Sequence, residues 1–106
     1  MRGLSALAVA IAALVSSVAA ASGDPEHGAV LSNTCMGCHG IPGYNNVYPT
    51  YSVPKLGGQN AEYLVSALKA YRAGDRQHPT MRAQAGPMTD QEIADIAAFF
   101  SQAPKR

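Results

Sequence analysis

Charge of one sign is what this sequence has least of. Eight Lys and Arg face seven Asp and Glu. Without Arg2 the two counts are equal. That balance leaves no basic footprint for nucleic acid. No apolar run reaches the roughly 20 residues that a spanning helix needs. No segment repeats, none is of low complexity, and no run alternates with period two as a half-buried strand does. Cysteine is nearly absent: the chain has two, Cys35 and Cys38.

What is present begins with the amino terminus. Arg2 gives a short positive start, Leu4 to Val15 is apolar, and Ser16 to Ala21 is rich in small residues. This is the pattern of a secretory signal peptide, with cleavage expected after Ala21, within a residue or so. The expectation is export to the periplasm, no stable membrane insertion after cleavage, and one mature domain over residues 22–106. Eighty-five residues make a small core. Chains of that size often need a staple, a metal or a large cofactor.

The mature chain reads as helix and loop in about equal parts. Asp24 is a good N-cap and Pro25 suits a first helical position, so a helix starts there and is expected to end near Cys35. Residues 40–58 hold three prolines and three tyrosines, at 44, 48 and 51. Proline at that density opposes helix and central strand alike. A loop of that length in a small domain needs something to wrap. Asn60 caps a helix over Ala61 to about Ala73, with Leu64, Leu68 and Tyr71 on one face and Gly74 as its stop. Residues 74–88 read as loop, with a turn of helix around Met81 to Ala85. Thr89-Asp90-Gln91-Glu92 is a capping box, and Ile93, Ile96, Ala97 and Phe100 recur at helical spacing behind it. The fold class is all-α.

The chemistry sits in "CMGCH", Cys35 to His39. A zinc site wants four ligands, and the remaining histidines, His27 and His78, are not paired in spacing. A thioredoxin-like thiol pair wants a preceding strand, where this chain has a helix. A disulfide within the motif closes a tiny loop and stabilises little. In an exported chain two free thiols usually pair. Covalent attachment of a c-type haem meets every condition. Both thiols add to the two vinyl groups on one porphyrin edge, and the next residue, His39, falls beneath the iron. The haem then supplies the missing core.

The opposite face of the iron has four candidates. Met36 lies inside the motif and cannot reach it. Met88 precedes the N-cap Thr89 and suits a hydrophobic staple with Ile93. His78 precedes a proline and otherwise reads as an exposed loop histidine. Met81 stands mid-loop on no apolar face and is the foremost candidate. A His/Met pair suits electron transfer, whereas an open face suits ligand binding. His27 reads as solvent-exposed.

"GAVLSNTCMGCHG", "PKLGG", "GQNAEYLVSALKAYRAGDRQHPTM" and "MTDQEIADIAAFF" together resemble the class I c-type cytochromes. In particular they resemble the small single-haem periplasmic branch, akin to single domains of the two-haem carriers. The resemblance covers residues 24–102. It implies three to four helices and long loops around one haem bound through Cys35 and Cys38. It implies that Gly28 lets the last helix cross the first, with Phe99 packed nearby. The Pro54 carbonyl would accept a hydrogen bond from His39, Leu56 would pack on the haem, and Met81 would be the second axial ligand. It also implies an electron carrier that meets redox partners transiently at the haem edge. Lys55, Lys69, Arg72, Arg76 and Arg82 lie mid-chain, where a basic face could steer an acidic partner. Arg76 or a loop tyrosine is a candidate to bond a haem propionate. The rival readings are a haem protein with an open sixth site and the haem subunit of a larger dehydrogenase.

Overall fold

A computed structural model of the chain describes residues 23–47 and 50–105. The expected signal peptide and Tyr48 lie outside the described residues.

Local capping sets the start of each long element. Asp24 Oδ1 accepts hydrogen bonds from the backbone N–H groups of Glu26 and His27, and Pro25 needs no partner for its nitrogen. Helix α1 therefore runs Pro25–Leu31. Asn60 accepts from Tyr63 N–H at 3.0 Å and opens α3, Ala61–Ala73. Gly74 closes that helix at φ 83°, a left-handed conformation that costs glycine little. The box at Thr89 forms in both directions: Thr89 Oγ1 accepts from Glu92 N–H and Glu92 Oε1 accepts from Thr89 N–H. It starts the last helix, Asp90–Gln102.

Three features depart from the expected layout. The first helix does not stop near Cys35. It bends at Ser32 and resumes as α2, Asn33–His39, which carries the whole CMGCH motif. The ladder survives the bend because Ser32 N–H bonds Gly28 O and Met36 N–H bonds Ser32 O. The segment read mostly as loop contains two full turns of helix, α4, Pro79–Ala85. The Pro/Tyr loop folds into a hairpin, β1 Asn45–Val47 and β2 Thr50–Ser52, with Asn46 opposite Tyr51. Strands of three residues are too short to show a period. With these additions, five helices and one small hairpin among the described residues, the all-α expectation holds. The last helix is α5.

The core is thin. Leu64, Ile96, Ala97 and Phe100 form one buried cluster between α3 and α5. Leu31, Cys35, Leu56, Leu68, Met88 and Phe99 pack around it, each partly buried. Helix α1 crosses α5 at Gly28, where a side chain would overlap the carbonyl of Asp95 and the Cβ of Phe99 lies 3.0 Å from the place a Cβ would take. The glycine and the aromatic thus meet as the resemblance implies. Arg72 on α3 donates to the Met88 carbonyl at 3.1 Å and to Asp90 at 2.7 Å, so α3 also holds the start of α5. The loop after Pro54 is tied to the end of α5 by Gly58 N–H on Phe100 O, 2.8 Å.

Packing then runs in one line through the helices. Helix α2 rests on α1, α1 on α5, α5 on α3, and α3 on α4. No Cα of α2 comes within 8 Å of one in α4. The two ends of that line hold the candidate site.

Candidate functional site

Helix α2 decides how the motif is displayed. Residues three and four apart on a helix share a face. Cys35, Cys38 and His39 therefore project to one side. Cys35 is half-buried against the core cluster and Cys38 is exposed. Neither is in a disulfide. Burial pushes the Cys35 thiol above its ordinary pKa, which keeps it a neutral thiol rather than a redox-active thiolate.

His39 closes α2 and is oriented from outside it. Its Nδ1–H donates to the Pro54 carbonyl, 2.8 Å away. Pro54 presents that carbonyl from the loop that Gly58 pins to α5. With the proton held on Nδ1, Nε2 keeps its lone pair. Leu56, two residues on, packs against the core cluster. The expected contact between His39 and Pro54 is therefore present, and it orients a ring whose other nitrogen, Nε2, can serve as a metal ligand.

The thioethers separate by their surroundings. Met36 is exposed, 41% of its surface reaching solvent. Met88 packs against the core cluster and its carbonyl is bonded to Arg72. Met81 is half-buried at the third position of α4 and belongs to no core cluster. It stands at the far end of the helix line from His39.

Some residues take parts that sequence reading missed. His27, expected to be merely exposed, bonds the buried Asp95 with Nδ1 to Oδ2 at 2.7 Å. Nothing in the sequence couples positions so far apart. His78 caps α4: its Nδ1 accepts from Met81 N–H at 3.1 Å. Its position before Pro79, the first residue of a helix, was the available signal. The His78 ring also meets Tyr51 edge-on at 4.6 Å and Tyr71 at 6.0 Å. Arg76 lies over the Tyr71 ring, 4.5 Å from its centroid.

These donors fit a covalently held haem. Two unpaired thiols lie on one helix face, with an imidazole beside them whose free nitrogen is already oriented. A thioether stands on a separate helix, and no Cα of one helix lies within 8 Å of a Cα of the other. Among the described residues no group of three or more His, Cys, Asp and Glu could hold a metal ion without such a cofactor. A family model described as cytochrome c matches residues 26–104.

The chain belongs to the cytochrome c family.

The cytochrome c domain is 40% identical over 84 residues to cytochrome c4 of Thiocapsa roseopersicina, covering 78% of this chain and 42% of that protein. It is 42% identical over 83 residues to cytochrome c-554(548) of Halomonas halodenitrificans, covering 76% of this chain and 96% of that one. It is 33% identical over 81 residues to the cytochrome subunit of sulfide dehydrogenase of Chlorobaculum tepidum, covering 76% and 70%. The chain thus spans about two fifths of the cytochrome c4 relative and nearly all of cytochrome c-554(548). The helical architecture is the class I cytochrome c fold. Its cofactor is haem c, bound through Cys35 and Cys38, and the domain is an electron-transfer haem domain.

Proposed function

We propose that the mature chain is a periplasmic one-electron carrier whose iron is ligated by His39 Nε2 and Met81 Sδ. The observation that carries this reading is the bond from His39 Nδ1–H to the Pro54 carbonyl, 2.8 Å, which presents Nε2 and fixes the ring. Haem c, when bound, supplies one-electron exchange between Fe(II) and Fe(III). The chain's own residues do the rest. Cys35 and Cys38 hold the group in one orientation. Pro54 sets the imidazole tautomer and strengthens the imidazole as a ligand. Leu56, Leu68 and the Phe99–Phe100 pair keep water from the interior side. Met81 comes from a helix that α3 holds in place, so it can stay bound in both oxidation states with little rearrangement.

Against an open sixth site stands the engagement of His78, whose Nδ1 is committed to the Met81 amide. An electron carrier rather than an enzyme follows from closure on both faces. Export through cleavage after Ala21 supports a periplasmic location. No helix among the described residues is long and apolar enough to cross a membrane. Partners dock transiently at the exposed surface around Met36, Cys38 and Ile41. That apolar surface also supports a second reading, residence in a larger dehydrogenase, a role that one relative's name describes.

The deciding experiment is the absorption spectrum of the ferric holoprotein, wild type beside Met81→Ala. A weak long-wavelength methionine-to-iron band, lost in the variant, is expected. Absence of that band in the wild type, with ready binding of added cyanide, would overturn the ligation and put the open-site reading first.

A further inference from the structure

We propose that His78 is the positioning residue for Met81, acting through its N-cap bond rather than through the packing of its ring. The inference rests on the reading of Met81 as an iron ligand.

Helix α4 has only seven residues, Pro79–Ala85. A helix so short is marginal by itself, so its start decides whether it forms. Pro79 fills the first position and Met81 the third. The amide at the third position is one of those with no partner inside the helix. His78 supplies that partner: its Nδ1 accepts from Met81 N–H at 3.1 Å, with the His78 backbone extended at φ −155° and ψ 100°. The bonded amide belongs to the thioether residue itself. The direction in which Met81 leaves the helix is therefore tied to the His78 ring.

Histidine is not a usual cap; Ser, Thr, Asp and Asn are preferred. An imidazole in that place brings a ring, and this ring is held from two sides. Tyr51 of β2 meets it edge-on at 4.6 Å and 78°, and Tyr71 of α3 at 6.0 Å and 74°. Among the described residues the hairpin has no close backbone contact with any helix. The Tyr51–His78 contact thus joins the hairpin to the start of α4. One side chain gathers β2, α3 and α4 around the amide of Met81. Because Nδ1 is the acceptor, the ring proton sits on Nε2, the tautomer opposite to that of His39.

Two variants separate the cap from the ring. His78→Asn keeps a strong N-cap and discards the ring. His78→Phe keeps the ring contacts and discards the acceptor. The experiment uses ferric holoprotein and records the methionine-to-iron band. It also records the rate at which added imidazole, at a concentration where loss of methionine is limiting, replaces it. His78→Ala and His78→Phe are expected to exchange about fivefold faster than wild type, the factor that loss of one cap carries. His78→Asn is expected to stay within about twofold of it. Rescue by Phe and not by Asn would overturn the proposal in favour of ring packing, as would wild-type exchange in His78→Ala. A wild type without the band is a different failure: it removes Met81 as ligand, and the proposal falls with that reading.

Discussion

His27 and Asp95 stand 68 positions apart, and Nδ1 of one lies 2.7 Å from Oδ2 of the other. The carboxylate is buried, only 2% exposed, and its second oxygen accepts from Asp24 N–H at 2.7 Å and from Gln91 Nε2 at 2.8 Å. One side chain on α5 therefore holds both the first turn of α1 and the residue before it. Since α1 carries α2, and α2 carries the haem thiols and His39, this contact supports one wall of the site.

The pair makes stability depend on pH in a definable window. The bond to Asp95 raises the His27 pKa above its ordinary 6.5. The bonds from His27, Asp24 and Gln91 hold Asp95 below its ordinary 3.8. The histidine contribution is complete below pH 6.5 and is lost as pH rises through the raised folded value. The carboxylate contribution is complete above pH 3.8 and is lost as pH falls through the lowered folded value. Both act together between those limits. His27→Gln is expected to lower the melting temperature of the holoprotein more at about pH 5 than at about pH 8, because the histidine contribution is complete only below pH 6.5 and diminishes above it. An equal loss at both values would contradict the ion pair.

Gly28 is where α1 and α5 come together, and a methyl group there would overlap the Asp95 carbonyl. Both partners are backbone, so neither helix can yield without moving the other. Gly28→Ala is expected to cost about 2 kcal/mol or more, at the upper part of the overpacking range. Denaturant unfolding of the holoprotein measures it. The same displacement moves α2, so a smaller fraction of the expressed chain should carry haem. A change within about 0.5 kcal/mol, as at an ordinary surface site, would mean that the crossing is looser than described.

The buried core of the described residues contains Leu64, Ala85, Ile93, Ile96, Ala97 and Phe100 and no other hydrophobic side chain. That is little for a domain of this length. No Cα of α2 lies within 8 Å of one in α4, so the polypeptide packs these two walls little against each other. The Cys35→Ala, Cys38→Ala double variant, which cannot attach haem, is expected to lose most of its helical circular dichroism and its cooperative melting. Retention of both would show that the polypeptide core suffices.

Much of the fold was legible residue by residue. Asp24–Pro25, Asn60, Gly74 and the Thr89–Glu92 box each act within a turn of chain, and each stands where its sequence put it. CMGCH was legible for the same reason: spacing on a helix is local. The continuation of helix through the motif was not, because Gly37 and Gly40 flank Cys38 and His39 and lower intrinsic helicity. The backbone ladder from Ser32 O to Met36 N–H overrides that weakness. The hairpin was hidden because its strands are only three residues each. Met81 stood out by elimination, while the part His78 plays beside it depends on Tyr51 and Tyr71 arriving from other elements.

By itself, then, the sequence determined the starts of α1, α3 and α5, the covalent anchor and the single imidazole that follows it, since each rests on bonds spanning four residues or fewer. The meeting of His39 with Pro54 was implied by the family resemblance, and only the tertiary structure decided that His27 meets Asp95 and His78 meets Tyr51. Their encounters follow from how closely α1 and α5 cross and where the loops return. Close approach of that kind depends on the shape of the whole packed chain, which no short stretch of it encodes.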